Sequence, residues 1–191
     1  MDKSKNAVKK NLEDLGYFKY VAPDNLESIK EITFRDYQND GIIQFPWEDG
    51  LNRMFGIDAE FIFEAEGIKS QIEGMLELFN ELGIKLTIGR YVEDFDISSE
   101  SYSTRIIELN EIPYDTSGSS DWNSAFLSGV KLINEILVHY GKEDRVYGLV
   151  MDESSWMILL DKALYEYLND LIPEWANIRP IDISELDWLQ Q

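Results

Sequence analysis

The chain has no cysteine and a single histidine, His139, in 191 residues. A thiol nucleophile, a Cys/His zinc site and a disulfide framework are therefore excluded outright. No Gly-x-Ser-x-Gly elbow accompanies His139, and Ser117, Ser119 and Ser120 fall in an expected loop, so an imidazole base has no poised nucleophile to activate. His139 falls instead in the last turn of an expected helix, where an imidazolium meets the negative end of the helix dipole. Neither a Gly-x-x-x-x-Gly-Lys-Ser/Thr loop nor a Gly-x-Gly-x-x-Gly turn occurs, and with them go the usual backbone cradles for phosphate. No cofactor is expected. No run approaches the 18 or so apolar residues of a membrane span, and the charged opening after Met1 has no apolar segment of a signal peptide, which makes the cytoplasm the expected compartment.

Positive charge is the other scarcity. Seventeen Lys and Arg stand against 37 Asp and Glu, a formal charge of −20. Residues 1–20 hold five Lys against Asp2, Glu13 and Asp14, so everything after them carries −22. Such a field repels phosphate backbones and anionic lipid, and neither nucleic acid nor membrane is expected as a partner. It accelerates encounter with a basic protein, by roughly 10- to 1000-fold at low ionic strength.

With 44% apolar residues the chain has material for one sizeable core. The expected organisation is a single α+β domain over 1–191: a helical and irregular extension (1–57), a core (58–172) and a tail (173–191). Val8, Leu12 and Leu15 predict a helix stopped at Gly16, with Tyr17, Phe18 and Tyr20 anchoring it, and Asp24 starts a second carrying Leu26, Ile29 and Ile32. In the core, Ala59–Glu64 is a strand candidate, and Ile68, Ile72, Met75, Leu76, Phe79 and Leu82 predict one helix ending at Gly83. Strands at Leu86–Ile88 and Tyr102–Leu109 form a hairpin, and 112–120 is a loop. A helix capped by Ser120 or Asp121 follows, with Trp122 and Phe126 pointing inward and Gly141 past its end. Strands at 146–151 and 156–160 and a helix capped by Asp161 complete the series. This order suggests a two-layer sandwich, a mainly antiparallel sheet with helices on one face, compatible with a ferredoxin-like arrangement.

The sharpest local feature is Glu93 to Glu100. From Asp94 it offers oxygens at calcium-loop spacing through Asp96, Ser98 and Glu100. Ser99 stands where the turn needs Gly and Arg105 where a bidentate Glu belongs, so no metal site is expected. Between Glu93 and Asp121 eight acids face Arg105 alone. Glu93, Asp94, Asp96, Glu100, Glu111 and Asp115 are therefore the candidate contacts for a basic partner, with Trp47, one of the tryptophans in irregular segments, as a candidate anchor. Acid pairs are so frequent that carboxylate catalysis, or binding of a small molecule or divalent cation, stays open as the alternative.

Leu132–Leu137, Gly141–Tyr147 and Trp156–Leu168 together resemble the carboxy-terminal half of a set of small bacterial proteins, some of the immunity-protein type. Leu15–Val21 is similar to their start. The resemblance covers about a third of the chain and implies an acidic, cytoplasmic, non-enzymatic protein that occludes a basic toxin or nuclease.

Overall fold

Val8 and Leu12 lie one turn apart and both lose all exposure, which fixes helix α1 (Lys5–Asp14) by its buried face. It ends as expected. Gly16, at φ +73°, sends its N–H to the Glu13 carbonyl, while Tyr17 N–H reaches Leu12. Pro23–Asn25 make a short 3-10 turn leading into α2 (Leu26–Thr33). The computed structural model describes residues 2–35, 37, 41–45, 50–151, 154–174, 176 and 178–182. Trp47, Trp175 and Trp188 lie outside them.

The chain divides into two units: residues 1–56 with 143–182, and the segment 57–142. In unit 1, strand β1 (Met54–Ile57) joins β6 (Ser154–Leu160) and β5 (Arg145–Met151) in the order β1-β6-β5, and α7 (Lys162–Leu171) follows. β5 and β6 pair antiparallel from Arg145–Leu160 to Met151–Ser154. The core is Val8, Leu12, Tyr17 and Ile29 against Ile158, Leu160, Leu164 and Leu168. Asp161 caps α7 as expected, its Oδ1 accepting from Leu164 N at 2.9 Å.

Unit 2 holds α3 (Ala59–Phe63), α4 (Gly67–Gly74), α5 (Leu76–Glu81), β2 (Ile88–Asp96), β3 (Ser101–Leu109), β4 (Ile112–Asp115) and α6 (Trp122–His139). Its sheet runs β2-β3-β4. The molecule is thus α+β with an N-terminal helix, but among the described residues the strands fall into two three-stranded sheets and not the single sheet of a ferredoxin-like order.

Five local expectations change. Ala59–Glu64 is helical because Asp58 caps it, accepting from Phe61 N at 3.2 Å, and Ala59, Ile62 and Phe63 then share a face at helical spacing. The helix expected over 68–82 breaks at Met75 into α4 and α5, although Ile68, Ile72, Met75, Phe79 and Leu82 are all buried as anticipated. The acids at 93–96 belong to a strand, and the loop expected from 112 opens with β4. Trp122 is 55% exposed at the start of α6 rather than turned inward. Asp121 is the cap there, in a reciprocal box with Ser124.

Candidate partner-binding surface

Strands β2 and β3 pair antiparallel, with Glu93 opposite Arg105, Asp94 opposite Thr104 and Asp96 opposite Ser101. The hairpin tip is Ile97-Ser98-Ser99-Glu100. Asp96 folds it: its carboxylate accepts from Ser98 N (2.8 Å), Ser98 Oγ (2.7 Å) and Ser99 Oγ (3.0 Å), and these bonds, the Ser98 hydroxyl first, hold its pKa below the ordinary carboxylate range. Glu100 closes the turn at φ +50°, in the left-handed region. Ser103 Oγ donates to Asp94 Oδ2 at 3.2 Å. Asp94, Asp96 and Glu100 are all exposed, and none of the ion pairs formed among the described residues involves them.

Glu93 behaves differently, for its side chain is only 19% exposed. It accepts from Tyr91 Oη at 2.7 Å and from Glu66 N at 3.0 Å, and Arg105 Nε lies 3.7 Å away. Arg105 has no exposed surface: its Nη2 donates to the carbonyls of Ile62 (2.6 Å) and Glu64 (2.8 Å) at the end of α3, and Nε to Tyr91 Oη (3.2 Å). Burial is the chief force raising the Tyr91 pKa. Glu93 is therefore a brace inside unit 2 and not part of the outer acidic surface. Arg105, which breaks the calcium pattern in sequence, does so because the fold uses it inside.

The remaining candidates separate along the sheet. Asn110 (φ +50°) and Glu111 (φ +67°) form the two-residue turn between β3 and β4, a backbone requirement that Asn meets readily. Asn110 is fixed by Thr87 N, the Lys85 carbonyl and Tyr140 Oη, which leaves Glu111 exposed at the end of β3 remote from Ile97, roughly 25 Å along the strand. Asp115 pairs with Ile106 partway back, and hydrogen bonds from the Ser117 side chain and backbone lower its pKa. Asp94, Asp96 and Glu100 thus form one cluster, from which Glu111 stands apart.

Exposed apolar side chains at the same tip escaped the sequence reading. Ile97, at the apex, is 84% exposed. Phe95 is 40% exposed and packs edge-on to Phe63 (6.0 Å) and Tyr102 (5.0 Å), while Tyr102 Oη donates to the Phe63 carbonyl at 2.8 Å. Because successive strand residues face opposite ways, Phe95 lies on one side of the hairpin and Asp94 and Asp96 on the other. An Ile at the middle of an acidic turn was the available signal.

Among the described residues no group of three or more Asp, Glu or His side chains is placed to hold a metal ion. The chain matches no protein-family model, no curated protein and no solved structure.

Proposed function

We propose that this protein is a non-enzymatic, cytoplasmic protein-interaction module that binds a basic partner through the β2–β3 tip, in the manner of an immunity-type inhibitor covering a cationic toxin or nuclease. The observation that carries this reading is the pairing, on one projecting hairpin, of the exposed Ile97 with three carboxylates, Asp94, Asp96 and Glu100, that no ion pair among the described residues engages. Exposed apolar area supplies the contact and the surrounding charge selects a cationic partner and steers it in. The hairpin is held ready by interior bonds through Glu93, Tyr91 and Arg105, so little ordering opposes binding. The resemblance at 132–168 supports the same class.

The test is stopped-flow association with a Lys/Arg-rich peptide carrying one tryptophan. Neutralising the tip (Asp94→Asn, Asp96→Asn, Glu100→Gln) slows association about tenfold at low salt and flattens its salt dependence, and Ile97→Ser accelerates dissociation. Rates equal to those of the unmodified protein, with the same salt slope, would remove the hairpin from the proposal.

A further inference from the structure

Strands β1, β5, β2 and β4 stand at the edges of the two sheets, and the first, second and fourth of them are short or already met. β1 and β4 have four residues each, and Pro113 takes a backbone N–H away from β4. β5 is met at Gly148 by Ile181, which exchanges both backbone bonds with it at 2.9 Å. β2 is different. It has nine residues and no proline, and among the described residues it pairs with β3 alone.

Residues opposed in an antiparallel pair exchange both backbone bonds or neither. Arg105 turns its backbone away from β2: its carbonyl accepts from Thr116 N at 2.8 Å and its N–H donates to Ser117 Oγ at 2.8 Å. Tyr102 does the same with Gly118 N (2.8 Å) and the Ser119 carbonyl (3.1 Å). Glu93 lies opposite Arg105 and Phe95 opposite Tyr102, so both aim their N–H and C=O at the outer edge, as does Tyr91 two residues earlier. Among the described residues no other element bonds to these backbone groups. The register slips between Ile88 and Tyr91, with the extra residue in β2, and again at Asp94/Phe95, where the extra residue is Ser103 of β3. The edge of β2 is therefore continuous from Tyr91 to Asp96, roughly 20 Å.

We propose that the outer edge of β2 takes up an extended, basic segment of the partner protein as a fourth, antiparallel strand of this sheet. The inference rests on the hairpin reading and supplies its mode of contact: the N–H and C=O groups of Tyr91, Glu93 and Phe95 give affinity, and alternate side chains give selectivity. Residues of the added strand opposite Asp94 and Asp96 share their face, so Lys or Arg there meets two exposed carboxylates that no ion pair among the described residues engages. Residues opposite Glu93 and Phe95 share the other face, where Phe95 packs on Phe63 and an apolar side chain extends the contact. The segment that fits alternates basic and apolar residues. A second copy's β2 does not fit, because antiparallel pairing sets Glu93, Asp94 and Asp96 of two copies against one another, and like charges opposed across strands repel. The same carboxylates thus keep an open edge from pairing with itself and admit a cationic strand.

The test takes the whole protein and a peptide of about eight residues alternating lysine and valine, together with versions N-methylated on the valines or on the lysines, all of equal charge. In the free protein the amides of Tyr91, Glu93 and Phe95 exchange fast with solvent and those of Val92 and Asp94 slowly, and the unmethylated peptide protects the first three. N-methylation of the valines, whose N–H groups face β2 in an antiparallel pair, weakens binding about tenfold or more, and N-methylation of the lysines less than about twofold. Asp94→Asn combined with Asp96→Asn weakens the unmethylated peptide about fivefold at low salt. The methyl groups sit on the peptide, so misfolding of the protein cannot produce the contrast between the two versions. Equal affinity for the two N-methylated peptides overturns the added strand, and leaves the hairpin reading standing where neutralisation still weakens binding; affinity indifferent to neutralisation overturns both. Edge amides already protected in the free protein also overturn the added strand, through the protein's own chain where protection is independent of concentration and through a second copy where it rises with concentration.

Discussion

Each unit closes over an arginine with no exposed surface, and the two are satisfied in different ways. Arg53 in unit 1 commits all three nitrogens to carbonyls: Nε to Tyr17 (2.7 Å), Nη1 to Leu159 (2.6 Å) and Nη2 to Gly16 (2.8 Å). Arg105 in unit 2 reaches two carbonyls and the Tyr91 hydroxyl, and its Nη1 has no hydrogen-bond partner among the described residues. Both lie over a tyrosine ring, Tyr20 at 4.7 Å and Tyr102 at 4.1 Å. Both have a carboxylate nearby but beyond hydrogen-bond reach, Asp144 at 3.8 Å and Glu93 at 3.7 Å. Carbonyl dipoles therefore do most of the work of replacing water around each cation, with the ion pair behind them. Asp144 is itself held by Lys19 at 3.0 Å and by Tyr20 Oη at 3.3 Å. Arg53 stitches strands and turns that are distant in sequence, whereas Arg105 leans on its own hairpin and the end of α3. Where a buried charge is fully bonded it organises a core; where one nitrogen is left over it braces a local feature, here the acidic hairpin.

The largest effect expected from breaking this comparison is that of Arg53→Met. It strands three buried carbonyls and leaves Asp144 without its interior cation, a loss of about 3–5 kcal/mol. Arg105→Met is expected to lose less, about 2–3 kcal/mol, because one nitrogen already lacks a bond and Glu93 keeps Tyr91 and Glu66 N. Urea denaturation measures the totals. Hydrogen exchange assigns them: α1 and β5 amides should open first in the former, β2 and β3 amides in the latter. Equal losses would mean that the third carbonyl bond contributes nothing.

A second contrast is between two glycines. Gly67 opens α4, and a Cβ there would collide with the Phe61 carbonyl oxygen and come within 2.7 Å of that of Ile62. Gly16 needs its left-handed φ but has nothing closer than the Lys19 side chain at 3.9 Å. Gly67→Ala should therefore lose about 2–3 kcal/mol through forced displacement of α3, and Gly16→Ala about 1 kcal/mol through backbone strain alone. Thermal melts of the two variants settle the order, and a larger loss at Gly16 would show that α3 yields easily.

These contrasts mark how far the sequence was legible. Helices with a periodic apolar face and a glycine stop were readable: α1 to Gly16 and α6 to Gly141 stand as expected, while the stripe from Ile68 to Leu82 is buried except at Leu76 but falls on two helices. The α+β class and the hairpin followed from the same patterns. What could not be read depends on tertiary partners. Arg53 and Arg105 look like ordinary surface cations until the carbonyls they bond, as much as 106 residues away, are in place. The strand reading of Ala59–Glu64 gives way to one side-chain cap, since six residues, three of them Phe or Ile, carry too little periodicity to decide between 2.0 and 3.6. Of the candidate contacts, Asp94, Asp96 and Glu100 cluster because they lie at one tip. Glu93 was misplaced because charge alone does not say which side chain of a strand turns inward.

The smallest expected effect separates geometry from charge at the two helix caps. Asp121 in unit 2 accepts from Ser124 N at 2.9 Å while Ser124 Oγ receives Asp121 N at 3.1 Å, so two backbone donors depend on the pair. Among the described residues the Asp161 side chain in unit 1 accepts from Leu164 N alone. Asp121→Ala should lose about 1–1.5 kcal/mol and Asp161→Ala about 0.5–1 kcal/mol. Both changes also remove an anion from a surface already at −20, which relieves repulsion and offsets part of each loss at low salt. The isosteric Asn variants retain an acceptor without the charge, so they should match or slightly exceed the stability of the parent in low salt and fall marginally below it in 0.5 M salt, where repulsion is screened and only the cap remains. If the Asn variants instead lose as much as the Ala variants at both salt concentrations, the caps act through the carboxylate's charge on the helix dipole, and the reciprocal bonds at Asp121 add nothing over the single bond at Asp161.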